Sequence, residues 1–133
     1  RGRSAFHQRR CMVVATARIV GVLLVLLGVF GYSATAGVSL TALIPAAFGI
    51  LLWVLAVVAR NERRRPHAMH AAVVVGLVGF LATVSALASL PAVLQGGDVA
   101  RPAAVVSQSI MALLTGVFVV LSVKSFVDAR RRR

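Results

Sequence analysis

From residue 19 to residue 59 the chain carries no Asp, Glu, Lys, Arg or His. A single helix of that length would run ~60 Å at ~1.5 Å per residue. That is about twice the ~30 Å hydrocarbon core of a bilayer. The pattern therefore predicts two apolar helices joined by a turn near 31–41. Gly31 and Gly37 bracket this turn and permit its backbone angles. Ser39 or Thr41 is placed to cap the following helix through a side-chain oxygen. Tyr32 suits a membrane interface, its ring in the apolar layer and its hydroxyl among headgroups. Pro45 falls in or just after the first turn of the second helix, where a missing amide costs least.

The second half repeats the theme. Pro66 stops the preceding helix from simply continuing, and a third apolar span begins near His67 to Ala71 and reaches Leu90 or Leu94, with Pro91 kinking or ending it. Within it, Gly76, Gly79, Thr83 and Ala86 follow i, i+3, i+7, i+10 spacing, a small-residue face that lets another helix approach closely. A loop over 95–101 leads to Pro102, suited to a first helical position, and a fourth span. The expected fold class is an all-α membrane protein with four transmembrane helices, arranged as two helical hairpins. It forms one membrane domain over 1–133, with spans at about 13–32, 39–59, 69–94 and 102–126. Residues 49–65 and 116–132 echo each other as a glycine, an apolar run and a basic cluster, in keeping with two parallel hairpins.

Met12 directly precedes the first apolar run and reads as a natural start, with 1–11 as upstream read-through. Mass spectrometry of the native N-terminus tests this, since a peptide containing His7 or Gln8 would refute it. Ala34-Thr35-Ala36 has the small-residue look of a signal-peptidase site, but the preceding apolar segment exceeds the ~7–15 residues of a signal peptide's apolar region.

Composition agrees with a membrane setting. Hydrophobic residues make up 59% of the chain, with a mean hydropathy of +0.93, against roughly 45–50% in globular domains. Charged residues, at 14%, are too few to coat a water-soluble particle. A net charge of +12 would by itself suggest nucleic acid. The basic residues, however, cluster at 1–10, 60–65 and 130–133, beside the apolar spans. The expected partner is a lipid bilayer with anionic headgroups, at about 1 kcal/mol per basic residue near the surface, and no nucleic acid. With four spans, 14 of the 15 Lys and Arg fall on one side and only Arg101 on the other. Both termini are therefore expected to be cytoplasmic. The Arg-, Ala- and Val-rich composition points to the cell (cytoplasmic) membrane of a bacterium. Arg18 and Lys124 can snorkel to the interface. The lone Cys11 excludes an intramolecular disulfide.

Candidate chemistry is sparse. The three acids, Glu62, Asp98 and Asp128, lie in loops or the tail, with no carboxylate inside a span. No catalytic constellation is present, so neither an enzyme nor a cofactor is expected. His67 and His70 share one helical face and could ligate a metal or haem iron, or titrate near neutral pH. Two ligands underspecify a metal site, however, and the four arginines of 60–65 disfavour a cation; a polar helix start is the expected reading. Ser107-Gln108-Ser109 is the most polar group inside a span, roughly 9 Å into helix four. Its expected role is interhelical hydrogen bonding, the alternative being a polar contact along a substrate path.

The residues Gly31-Tyr32, Ala36-Gly37, Ser39-Leu40, Ala42 and Gly49 resemble the first hairpin of the transmembrane protein 14 family, short four-helix membrane proteins. Arg101-Pro102-Ala103-Ala104 also sits near where that family has a basic residue and Pro-Ala-Gly opening its last helix. The spacing departs from the family's: Tyr32 to Ala36 is one residue longer and Ala36-Gly37 to Ser39 two shorter. The 60–65 loop is also unusually basic. Members of that family include plastid fatty-acid exporters and a mitochondrial protein linked to porphyrin handling. The resemblance implies binding or passive transport of a hydrophobic small molecule, a fatty acid or porphyrin-like compound. The alternative is an accessory or assembly subunit, docking through its small-residue faces as a homo-oligomer or on a larger membrane complex. The candidate functional residues are Gly31, Tyr32, Gly37, His67, His70 and Gln108.

Overall fold

The computed structural model describes residues 2–34, 36–37, 40–98 and 102–131, excepting the side chains of 2–11, 41 and 129. The described residues are all-helical. Helix α1 spans Gly2–Ala34, a 3-10 turn covers Leu40–Leu43, and α2 (Ile44–Val58), α3 (Arg65–Leu94) and α4 (Pro102–Arg131) follow. Three segments are long and apolar enough to cross a membrane by length and composition, namely Met12–Ala34, Arg65–Leu94 and Pro102–Asp128. Helix α2 is shorter, at 15 residues. The chain is thus compatible with a multi-pass membrane protein.

Boundaries differ from the sequence reading in ways that local chemistry explains. Gly31 is not in a turn: α1 continues to Ala34, because glycine weakens a helix by only ~1 kcal/mol and does not stop it. The stop comes later. The Gly37 amide donates to the Tyr32 carbonyl and the Ala36 amide to the Ser33 carbonyl, both at 3.1 Å. This is the double bond pattern of a Schellman cap. It requires a left-handed residue, and Ala36 occupies that position at φ 50°. Helix α3 ends the same way, with Gly97 donating to Ala92 (2.8 Å) and Gly96 to Val93 (3.2 Å). There the left-handed position falls on Gly96, at φ 73°.

An L-residue held left-handed costs roughly 1–2 kcal/mol, partly offset because glycine loses more backbone freedom on folding. Ala36→Gly is therefore expected to stabilise the protein by about 1 kcal/mol. Thermal unfolding in detergent reads this out, and an unchanged or lowered midpoint would refute the cap.

The N-cap position of α2 is not a Ser or Thr. Leu43 is its N-cap, without a side-chain hydrogen bond. Thr41 is taken up in the preceding 3-10 turn, and Ser39 lies outside the described residues. Pro45, at the start of α2, removes one of the amides that a cap would otherwise serve. Pro66 does the same for α3, so that helix begins at Arg65 rather than near 69. Pro91 does not end α3. The helix runs three residues beyond it, and the Gln95 amide still donates to the Pro91 carbonyl at 3.0 Å. Between α2 and α3, Asn61 organises the tight basic loop. Its carbonyl accepts from the Arg64 and Arg65 amides, and its side-chain oxygen from the Arg63 amide.

Helix α1 lies against α2 and α4, and α3 against α4 and α2. Small residues permit the close contacts. A Cβ on Gly21 would lie 2.8 Å from the Gly49 carbonyl oxygen, and one on Gly28 2.6 Å from the Ala46 amide nitrogen. On α3, Gly76 receives the Phe118 ring and Gly79 meets Met111 and Phe48. The small face Gly76, Gly79, Thr83 and Ala86 is therefore buried within the chain. Leu24, Leu52, Met69, Met111 and Phe118 fill the centre. Large apolar side chains such as Leu26, Phe30, Leu81 and Val120 point outward, as lipid contact requires.

Candidate functional site

The hydroxyls inside the apolar helices are mostly satisfied by their own backbones. Thr83, Ser109 and Thr115 each donate to a carbonyl four residues earlier at 2.7 Å. The Ser122 hydroxyl is buried without a partner among the described residues. Ser107 and Gln108 stand beside a cavity and have no hydrogen bond among the described residues.

That cavity, about 130 Å³, lies where the C-terminal end of α1, the start of α2, the second half of α3 and the start of α4 converge. Gly31, Pro45, Thr83, Ser107, Gln108 and Met111 line it, with alanines between them. Gly31 forms part of the wall by lacking a side chain. A Cβ there would sit 3.7 Å from the Ala42 Cβ and 3.8 Å from the Ser107 hydroxyl, ordinary contact distances. Pro45 is buried beneath it. Gln108 is exposed and makes no hydrogen bond to another helix among the described residues. The expected bond between helices is thus not made to any described residue. At six residues, or ~9 Å, into α4, an amide facing hydrocarbon would be costly. Gln108 is itself one of the residues lining the cavity.

No lining residue among the described residues is ionisable. An ionised group placed there unpaired would face a penalty of several kcal/mol. Ala103 and Ala104 line it from the first turn of α4, and helix N-termini are positive dipole ends. Those favour negative charge by only ~0.3–1 kcal/mol, which does not offset that penalty.

The other candidates lie elsewhere. Tyr32 and Gly37 build the cap of α1: the Tyr32 hydroxyl would be 3.3 Å from a Cβ on Gly37, whose φ is 76°. Their role in the described geometry is to end the helix. His67 and His70 sit at the opposite end of α3, where His70 is thirteen residues, or ~20 Å, from Thr83. His70 Nδ1 donates to the Pro66 carbonyl at 2.8 Å, and the ring tilts against Phe126 at 5.0 Å between centroids. Since a carbonyl only accepts, the proton is on Nδ1. No cluster of three or more His, Cys, Asp or Glu is found among the described residues.

Sequence reasoning passed over Pro45 and Thr83 as cavity walls. Their local signals, a helix-start proline and one member of a small stripe, say nothing about a void shared by four helices. No family model, characterised protein or solved structure matches this chain.

Proposed function

We propose that the chain is a four-span membrane protein built of two helical hairpins, and that it binds and passively carries a hydrophobic small molecule through the cavity beside Gln108. The observation carrying this reading is a void walled by all four helices, beside which two polar side chains, Ser107 and Gln108, have no hydrogen-bond partner among the described residues. Ligand sites combine mostly apolar walls with a few such convergent groups. At about 130 Å³, the cavity is below the ~300–1,000 Å³ of pockets that enclose a whole drug-sized ligand. It suits the head of a slim amphiphile better than a porphyrin disc. The small-residue faces that would have favoured an accessory subunit are occupied by Phe118, Met111 and Phe48 of the same chain.

Helix α2 is the short element in a four-span reading, ~22 Å at 1.5 Å per residue. The 3-10 turn before it adds ~8 Å at ~2.0 Å per residue, so the two together approach a bilayer's ~30 Å core. Up-and-down helices then put the 60–65 arginines and both termini on the cytoplasmic side, by the rule that basic loops stay inside.

Two experiments test the proposal. Purification in mild detergent should bring down one amphiphile in stoichiometric amount, and a species carrying only bulk lipid would refute the binding reading. Topology is read by cysteine labelling in a Cys11→Ser background. Asp98→Cys, at an exposed position, should react with an impermeant maleimide from outside intact cells. Glu62→Cys should react only after lysis. Position 97 is unsuitable, because a Cβ there would lie 2.9 Å from the Ala92 carbonyl. The opposite labelling pattern would invert the orientation.

A further inference from the structure

Resting on the cavity reading above, the chemistry of its walls selects the ligand's head. The Gln108 amide offers two donor hydrogens and an acceptor oxygen, and the Ser107 hydroxyl one donor and two lone pairs. Neither has a partner among the described residues. A head that both donates and accepts matches this pair. An ionised carboxylate or phosphate brings only acceptors, plus a charge with no counter-charge among the described lining residues. A quaternary ammonium brings charge and no donor. We infer that the cavity takes the uncharged, hydrogen-bonding head of a long-chain amphiphile from the bilayer, such as an alcohol, a primary amide or a protonated acid, and rejects ionised heads.

Volume points the same way. An apolar cavity of about 150 Å³ holds a molecule the size of benzene. A space of about 130 Å³ thus admits a head and the first few carbons, leaving the chain in lipid. It also leaves little room for the water that would have to accompany a buried ion.

The test uses the full chain reconstituted in phosphatidylcholine vesicles at pH 9. Three photoreactive probes share one C16 chain with a diazirine near the head: hexadecanol, ionised hexadecanoate and hexadecyltrimethylammonium. Adducts are mapped by mass spectrometry and normalised to those on lipid-facing Leu81 and Val120. The alcohol should label the segment around Ser107 and Gln108 at least about tenfold more than either charged probe. Unlabelled hexadecanol should compete, and Gln108→Leu should remove the excess. Ser107→Ala, a milder change, should lower it several-fold.

Equal labelling by the carboxylate would overturn the inference while leaving the cavity as a ligand site. Labelling by the alcohol that neither variant alters would also overturn it. No probe exceeding the lipid-facing background would sink the site itself.

Discussion

Gly31→Leu is expected to raise the thermal midpoint of the detergent-solubilised protein and, in the same molecule, to abolish the amphiphile binding proposed above. The two effects have separate causes. Position 31 lies inside α1, where glycine is about 1 kcal/mol less favourable than a good helix former. The new Cβ meets nothing closer than 3.7 Å, so it is admitted without strain. The rest of the leucine side chain then projects into the cavity of about 130 Å³, a space of the size that loss of a large apolar side chain leaves behind. Filling that space removes the ligand's seat while adding contacts across α1, α2 and α4. A destabilised variant would mean that Gly31 serves packing rather than vacancy. A stable variant that keeps its ligand would place the binding site elsewhere.

The largest loss of stability from adding one methyl group is expected at Gly49→Ala. Its Cβ would fall 2.5 Å from the Gly21 carbonyl oxygen, 2.7 Å from the Val25 amide nitrogen and 2.9 Å from the Leu24 Cβ. Two of these are backbone atoms of α1, so relief requires moving a whole helix. Alanine is intrinsically the better helix former by ~0.8–1 kcal/mol. Overpacking costs of ~1–3 kcal/mol, at the upper end where backbone is struck, outweigh that gain. A net destabilisation of about 2 kcal/mol is expected from unfolding titrations in mixed micelles.

Gly116→Ala is the control. Its nearest obstacles, at 3.1 and 3.2 Å, are ring carbons of Phe80, which can turn aside, so its effect should be close to neutral. If the two variants behave alike, α1 and α2 do not approach as closely as Gly21 and Gly49 bring them.

These two glycines show how differently sequence speaks about neighbouring features. Both lie in uncharged stretches, and both read as small residues compatible with close packing or a turn. Nothing local distinguishes a glycine pressed against backbone (Gly49) from one beside a void (Gly31). Gln108 presents the same problem. An amide in an apolar helix seeks a partner, but whether it meets another side chain or a cavity depends on residues twenty-five or more positions away. The stripe Gly76, Gly79, Thr83 and Ala86 was legible as a face, and its occupant was not. Phe118 and Met111 from α4 and Phe48 from α2 fill it, removing the reason to look for an outside partner there.

What the sequence determined by itself are the properties that one segment carries alone. Apolar runs bounded by arginines mark helices suited to lipid, because hydrocarbon leaves the backbone no partner but itself. Pro45 and Pro102 mark helix starts, because proline lacks an amide that a first turn does not use. The polar loop from 95 marks where the third helix ends. Only the tertiary structure decided that α1 runs through Gly31 to a cap at Ala36, that the small stripe is filled from within, and that Gly31 and Gln108 border one cavity. Each of these depends on distances between segments remote in the chain, where a few ångströms separate contact from void.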